Sequence, residues 1–150
     1  PSSNLTIVGS GPDRDSLAQL VRKLSLTNSV NFTGALQGDD LVEVLNQHEI
    51  MVVPSTWNEP FGIVALEGLA CGCVLLVSDG GGLPDAIGKS GLLFKRGDVT
   101  DLMLKLRLLL DRHELRDKLR FEAISHLPRF ESSVISGQYL KILESHSRYH

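Results

Sequence analysis

The chain reads as an α/β protein whose parallel strands form an open, doubly wound sheet. Two observations carry this reading. Five short apolar runs, Leu5–Val8, Val30–Thr33, Ile50–Val53, Val74–Val77 and Leu92–Phe94, alternate with stretches of helical periodicity. Turn-forming residues follow these runs at Gly9–Pro12, Gly34, Glu59–Gly62 and Ser78–Gly82. In an open sheet of this kind ligands bind outside the carboxyl ends of the strands, so these loops are expected to converge on one edge.

The elements follow in order. The first run is bounded by Gly9-Ser10-Gly11-Pro12. A helix is expected over about Asp13 to Leu24, with Leu17, Leu20, Val21 and Leu24 on one face. After the strand at Val30, a second helix is expected from about Asp39 to Gln47, with Asp39 or Asp40 available as its cap. Ile50–Val53 is continuously apolar, as a buried parallel strand should be, and Pro54 ends it because proline cannot donate to a ladder. From Gly62 the pattern turns helical through Ile63, Leu66 and Ala70. A short helical turn is expected after Pro84, and three helices near Asp101–Asp111, Glu114–His126 and Ser133–Ser145 close the chain.

With 150 residues, 42% of them hydrophobic and 22% charged, the chain is read as one globular domain over residues 1–150. A formal net charge of −3 gives no basic field for nucleic acid. The strongest apolar run, around Val74 to Val77, is far too short to span a bilayer, and no secretory apolar segment opens the chain. A cytoplasmic setting is therefore expected. The chain opens on Pro1 rather than methionine, so it is read as part of a longer protein. Cys71 and Cys73 are the only cysteines, and without accompanying histidines they read as small buried residues rather than metal ligands. No metal and no cofactor are expected.

The stretch Pro54 to Gly72 holds the most chemistry. It sets Glu59 in a loop after a strand and Glu67 in the following helix, about two turns in. The backbone N–H groups of Phe61, Gly62, Ile63 and Val64 fall at the helix start, where an anion such as a phosphate is favoured. Carboxylates accept hydrogen bonds from hydroxyls, so the pair suits a polyol on either side of a phosphate, as in a phosphorylated sugar or nucleotide. A single glutamate of this kind is more often a solvated surface residue. Glu67, however, lies among Leu66, Gly68, Leu69 and Ala70 in a segment without other charge.

This stretch resembles the Glu-x7-Glu pattern of retaining glycosyltransferases of the GT-B type, the glycosyl transferases group 1. The resemblance runs along most of the chain. Leu5–Pro12 is similar to the family's second strand and turn, and Val30–Gly34 to its third strand. Ser78–Pro84 is similar to the loop after its fifth strand, and Gly91–Phe94 with Gly97-Asp98 to its last strand and the start of the helix beyond. The resemblance implies a Rossmann-like domain, the C-terminal, donor-binding half of a GT-B enzyme. Glu67 would then bond the donor ribose and Glu59 a hydroxyl of the donor sugar. The backbone of Phe61, Gly62, Ile63 and Val64 would meet the sugar and distal phosphate, and Gly34, Ala35 and Leu36 would line the nucleobase slot. Gly9 and Gly11 would give a phosphate a further point of approach. The implied donor is a nucleoside-diphosphate sugar, and the implied acceptor is a glycan or lipid-linked sugar, with surface polysaccharide such as O-antigen a plausible setting. The full-length protein would be a hexosyl- or glycosyltransferase at the cytoplasmic face of the membrane. This part alone, without the acceptor half, would be inactive.

The chain departs from the family pattern at several points. Val74 stands where proline is usual, and Phe130-Glu131-Ser132 lacks the tryptophan of the family's Phe-Ser-Trp. The arginine and lysine that clamp the diphosphate belong to a strand and loop preceding Leu5. That strand lies at the centre of the family's sheet. Without it, Leu5–Val8 and Ile50–Val53 can pair directly, another copy can supply a strand, or the strand lies outside this sequence. Direct closure needs no partner and is the expected outcome.

Other features carry weaker readings. Gly9-x-Gly11 invites a nicotinamide-dinucleotide reading and hence an NAD(P)-dependent oxidoreductase. The third glycine's position is Arg14, though, and no acidic residue closes the next strand. A non-catalytic sugar-nucleotide-binding module is the third alternative. Gly80-Gly81-Gly82 is either a flexible loop or a nest of amides for a phosphate. Lys89, Lys95 and Arg96 read as surface charge, Trp57 as a cover for the sugar site or a packing residue, and none of the five histidines as catalytic.

Overall fold

The computed structural model describes residues 3–147. It is an α/β structure of parallel strands. The elements are β1 (Leu5–Val8), α1 (Arg14–Lys23), β2 (Val30–Gly34), α2 (Gly38–Asn46), β3 (Ile50–Val53), α3 (Ile63–Ala70) and β4 (Val74–Ser78). There follow α4 (Leu83–Ile87), β5 (Gly91–Phe94), α5 (Val99–Asp111), α6 (His113–His126), a 3-10 turn over Leu127–Phe130, and α7 (Ser132–Ser147). The chain divides into two compact units, residues 1–44 and 45–150.

In the first unit β1 pairs with β2 in parallel, Leu5 opposite Val30 and Ile7 opposite Phe32. The register then slips, so that Val8 faces Gly34, and the Gly9 N–H donates to the Gly34 carbonyl at 2.7 Å. The Arg14 guanidinium lies 5.9 Å from the Phe32 ring centroid, a cation–π contact. Arginine in place of a third glycine thus has a structural use here.

In the second unit the strand order is β3-β4-β5, all parallel. Central β4 is buried along its whole length. Alternation on a strand sends Val74 and Leu76 to one face, where they pack with Phe94, Leu109 of α5 and Leu119 of α6. Leu75 points to the other face. There Gly68 of α3 lets the helix approach so closely that a Cβ at that position would lie 2.4 Å from Met51 Sδ and 3.5 Å from the Leu75 side chain. Helices cover both faces, as in a doubly wound sheet.

The expected direct closure does not occur. Ile7 pairs with Phe32 and Val52 with Leu76, on strands of two separate sheets. Each strand instead pairs with a neighbour in sequence through a short βαβ crossover, β1 with β2 and β3 with β4, the kind of connection that folding favours. The expected single five-stranded edge is likewise replaced by the carboxyl ends of two sheets.

Smaller corrections concern helix starts. Helix α2 begins at Gly38, so Asp39 and Asp40 lie inside its first turn, where their charge complements the helix dipole, rather than at the cap. Helix α5 begins two residues before Asp101, because Asp98 is its cap: the Asp98 carboxylate accepts the Asp101 N–H at 3.0 Å. The expected apolar face of α1 exists, but Leu17, Leu20 and Leu24 are exposed. Of the histidines, His150 and the His146 side chain lie outside the described residues.

Candidate functional site

In the second unit the loops after β3 and β4 meet at the carboxyl ends of the strands. The Glu59 carboxylate is half-buried and accepts a hydrogen bond from Ser55 Oγ at 2.8 Å. Its carbonyl accepts the Gly82 N–H at 2.7 Å. The glycine run is a packing surface, a role that neither sequence reading had assigned. A Cβ at Gly81 would lie 2.3 Å from the Glu59 carbonyl oxygen, and one at Gly82 2.7 Å from Phe61 Cα. Gly81 also has a φ of +62°, a left-handed conformation. Backbone therefore rests on backbone, and the loop bearing Glu59 is braced by the loop after β4. The Gly82 N–H, committed to Glu59, is not free for an anion.

Gly62 ends the loop. Its φ of +93° places it outside α3 as the N-cap residue. The Ile63 and Val64 N–H groups open the helix and have no intrahelical acceptor, because the first ladder bond within this turn runs from Ala65 N–H to the Gly62 carbonyl at 2.9 Å. Because the helix begins at Ile63, Glu67 stands just over one turn into it, not two. Glu67 is also exposed, which corrects the picture of a carboxylate enclosed by apolar neighbours: Leu69 and Ala65 turn to the core and leave Glu67 on the open side. Its charge reaches Cys71, whose thiol is pushed up by burial and then by Glu67. Neighbouring Cys73 is more deeply buried, and burial followed by Cys71 raises it to about 11 while Arg120 acts against this. The Cys73 thiol donates to the Leu45 and His48 carbonyls, both at 3.3 Å. It is a neutral core residue, as expected.

Two contributors escaped the sequence reading. Arg96, taken there as surface charge, donates through its guanidinium to Asn58 Oδ1 and through its backbone N–H to Asp79 Oδ1 at 2.8 Å. It ties the loop after β5 to both other loops, and nothing in the local sequence signals this. The second contributor is aromatic. Phe61 packs edge-on against Phe130, centroids 5.7 Å apart, and Phe130 against His126 at 5.1 Å. The sequence held a partial signal in the aromatic motif at Phe130. Trp57 is exposed.

In the first unit Gly9 and Gly34 are adjacent through the Gly9 N–H to Gly34 carbonyl bond, and in the loop after β2 Ala35 is exposed and Leu36 half-buried. Gly11 follows in the turn before α1, where its carbonyl accepts the Arg14 N–H at 3.3 Å. Among the described residues, no three His, Cys, Asp or Glu side chains gather as a metal site would need. No helix among them is long and apolar enough to cross a membrane.

Comparison with known proteins identifies the family of the chain. The family model described as glycosyl transferases group 1 matches residues 1–126. The sulfoquinovosyl transferase SQD2 of Arabidopsis thaliana is 36% identical over 122 residues, covering 78% of this chain and 23% of the relative. A Campylobacter jejuni N,N'-diacetylbacillosaminyl-diphospho-undecaprenol alpha-1,3-N-acetylgalactosaminyltransferase is 33% identical over 144 residues, covering 95% of this chain and 37% of the relative. The chain therefore spans about a quarter to two-fifths of the length of these curated relatives. In fold it is similar to Anabaena HepE, solved in complex with UDP-glucose, with a TM-score of 0.79 at 24% identity over 97% of this chain and 42% of that one. The chain belongs to the glycosyl transferases group 1 family.

Proposed function

We propose that this chain is the donor-binding, Rossmann-like part of a retaining glycosyltransferase that moves a sugar from a nucleoside-diphosphate sugar to a glycan or lipid-linked acceptor. The observation that carries the reading is the braced loop running from Glu59 into the open N-terminus of α3, on a chain of this family. Glu59 contacts a hydroxyl of the donor sugar. The Phe61–Val64 backbone meets the sugar and the distal phosphate, and Glu67 accepts hydrogen bonds from the ribose. Gly34, Ala35 and Leu36 line the nucleobase slot, and Gly9 and Gly11 lie where a phosphate can approach.

The chemistry follows from these groups. A departing diphosphate is stabilised by helix N–H groups and the positive end of the helix dipole, with basic side chains supplied from elsewhere in the whole protein. No metal is required for this. The acceptor is brought by a second Rossmann-like half, and this positioning of two reactants can lower the barrier by roughly 7–11 kcal/mol. UDP-glucose bound to a protein of like fold and an undecaprenol-linked acceptor named in a relative favour this donor and acceptor class. Surface-polysaccharide assembly at the cytoplasmic face of a membrane is the setting we propose.

A thermal-shift series with UDP, GDP, ADP and their sugars tests the reading. One nucleoside diphosphate and its sugar should raise the melting temperature. Stabilisation by NADH with no response to any of the nucleotides would replace it with the oxidoreductase alternative.

A further inference from the structure

The loop that meets the proposed donor is braced from one side by the glycine run. A different set of contacts holds it from another, and no step of the proposed chemistry uses them. Phe61 is the residue immediately before the Gly62 cap. Its ring meets Phe130 in an edge-to-face contact, centroids 5.7 Å apart and planes at 68°. Phe130 meets His126 in the same manner, at 5.1 Å and 67°. His126 is buried and is itself fixed at the far end: its Nε2 lies 2.8 Å from the Ala86 carbonyl of α4, which makes Nε2 the donor in this bond. A glycine is needed to seat it, since a Cβ at Gly88 would lie 2.6 Å from His126 Cε1 and the backbone there has a φ of +51°. Edge-to-face pairs are directional, so they set the angle of a ring as well as burying it.

We propose that Phe130 and His126 are positioning residues: through Phe61 they hold the Phe61–Val64 backbone in the conformation that receives the sugar and distal phosphate of the donor. This deepens the donor-binding reading and rests on it. A relay of contacts through three separated segments, α4, the end of α6 and the 3-10 turn, thus ends on one loop residue. Neither positioning residue touches the donor. They act by fixing the N–H groups of Ile63 and Val64, whose aim matters because an electrostatic contact to a phosphate weakens when a donor group swings away. Selectivity follows from location. Glu67 lies beyond the first turn of α3, where the helix's own ladder holds it. Loss of the aromatic contacts should therefore loosen the sugar and phosphate contacts more than the ribose contact.

The test compares the full chain with Phe130→Ala and Phe130→Tyr. Phe130 is half-buried, so a tyrosine keeps the ring while its hydroxyl can reach water. Two quantities are measured on each protein: hydrogen exchange of the peptide covering Phe61–Val64, with the amides of α5 as internal reference, and affinity for the stabilising nucleoside-diphosphate sugar and its nucleoside monophosphate. Phe130→Ala should speed exchange at Phe61–Val64 by about three- to tenfold with α5 unchanged, the size expected for losing an aromatic pair. It should weaken the nucleotide sugar by a similar factor and leave the monophosphate within about twofold. Phe130→Tyr should restore both. Unchanged exchange at Phe61–Val64 in folded Phe130→Ala overturns the proposal. So does exchange that rises equally in α5, because that is general destabilisation. If the parent chain binds no nucleotide, the donor-binding reading fails, and the exchange result still decides whether these residues hold the loop.

Discussion

The two units use the same βαβ grammar and end in opposite states of burial. In residues 45–150, β4 is buried from Val74 to Ser78, and helices lie against both faces of the sheet. In residues 3–44 no side chain is buried, and Leu5, Leu17, Leu20 and Leu24 are 38–55% exposed. Periodicity was equally clear in both. An amphipathic pattern states which face seeks cover, whereas burial needs a second layer to supply it. A sheet of two strands with α1 and the first part of α2 offers little such cover. Glu59 and the Phe61–Val64 backbone, proposed to meet the sugar and the distal phosphate, lie in the well-packed unit, on the loop that leaves β3.

Core truncations sharpen this contrast most. Leu76→Ala, in the fully buried strand, should cost about 2–5 kcal/mol, while Leu20→Ala on exposed α1 should cost under about 1 kcal/mol, both measured by denaturant unfolding. Similar losses at the two positions would break the comparison, since they would mean that Leu20 is covered in solution.

Glycine substitutions come next and separate backbone conformation from contact. Gly72 and Gly81 both have positive φ, +80° and +62°. A Cβ at Gly72 meets nothing within 4 Å, whereas at Gly81 it would strike the Glu59 backbone. Gly72→Ala should therefore cost about 1 kcal/mol from conformation alone. Gly81→Ala should cost more and also weaken nucleotide-sugar binding, read by melting and by titration. Equal costs would deny that the glycine run braces the Glu59 loop.

The smallest expected effect is electrostatic. The Asp101 carboxylate accepts hydrogen bonds from the Lys95 N–H at 2.7 Å and from Lys105 Nζ at 3.0 Å, and these hold it below the usual carboxylate range. A lowered folded-state pKa stabilises the fold above the unfolded value, and that contribution is lost as pH falls through the folded value. The melting-temperature advantage of the parent over Asp101→Asn should accordingly be present at neutral pH and shrink below about pH 4. An advantage that grows on acidification would contradict the assignment.

Much of this was legible from residues alone. All five strands lie within one residue of the expected bounds, because continuous apolar runs and the proline or glycine after them mark strands sharply. Glu59 falls in the expected loop and Glu67 in the expected helix. Apart from the helix starts, the errors share one cause: they concern contacts between segments distant in sequence. The division of β1 and β3 between two sheets, the Arg96–Asn58 hydrogen bond and the His126–Phe130–Phe61 stack depend on tertiary placement, which local periodicity does not encode. Glu67 was set about two turns into its helix, whereas Gly62 is the left-handed cap and Glu67 stands four residues after the first helical residue, Ile63.

The central claim is that Glu59 and Glu67 divide a nucleoside-diphosphate sugar between them, and calorimetric titration of the two alanine variants tests it most directly. Glu67→Ala should weaken the nucleoside diphosphate and its sugar alike by about tenfold or more, the loss of at least one charge-assisted hydrogen bond. Glu59→Ala should weaken the nucleotide sugar and leave the free diphosphate nearly unchanged. Parent-like binding by Glu67→Ala, or equal weakening of both ligands by Glu59→Ala, would contradict the account.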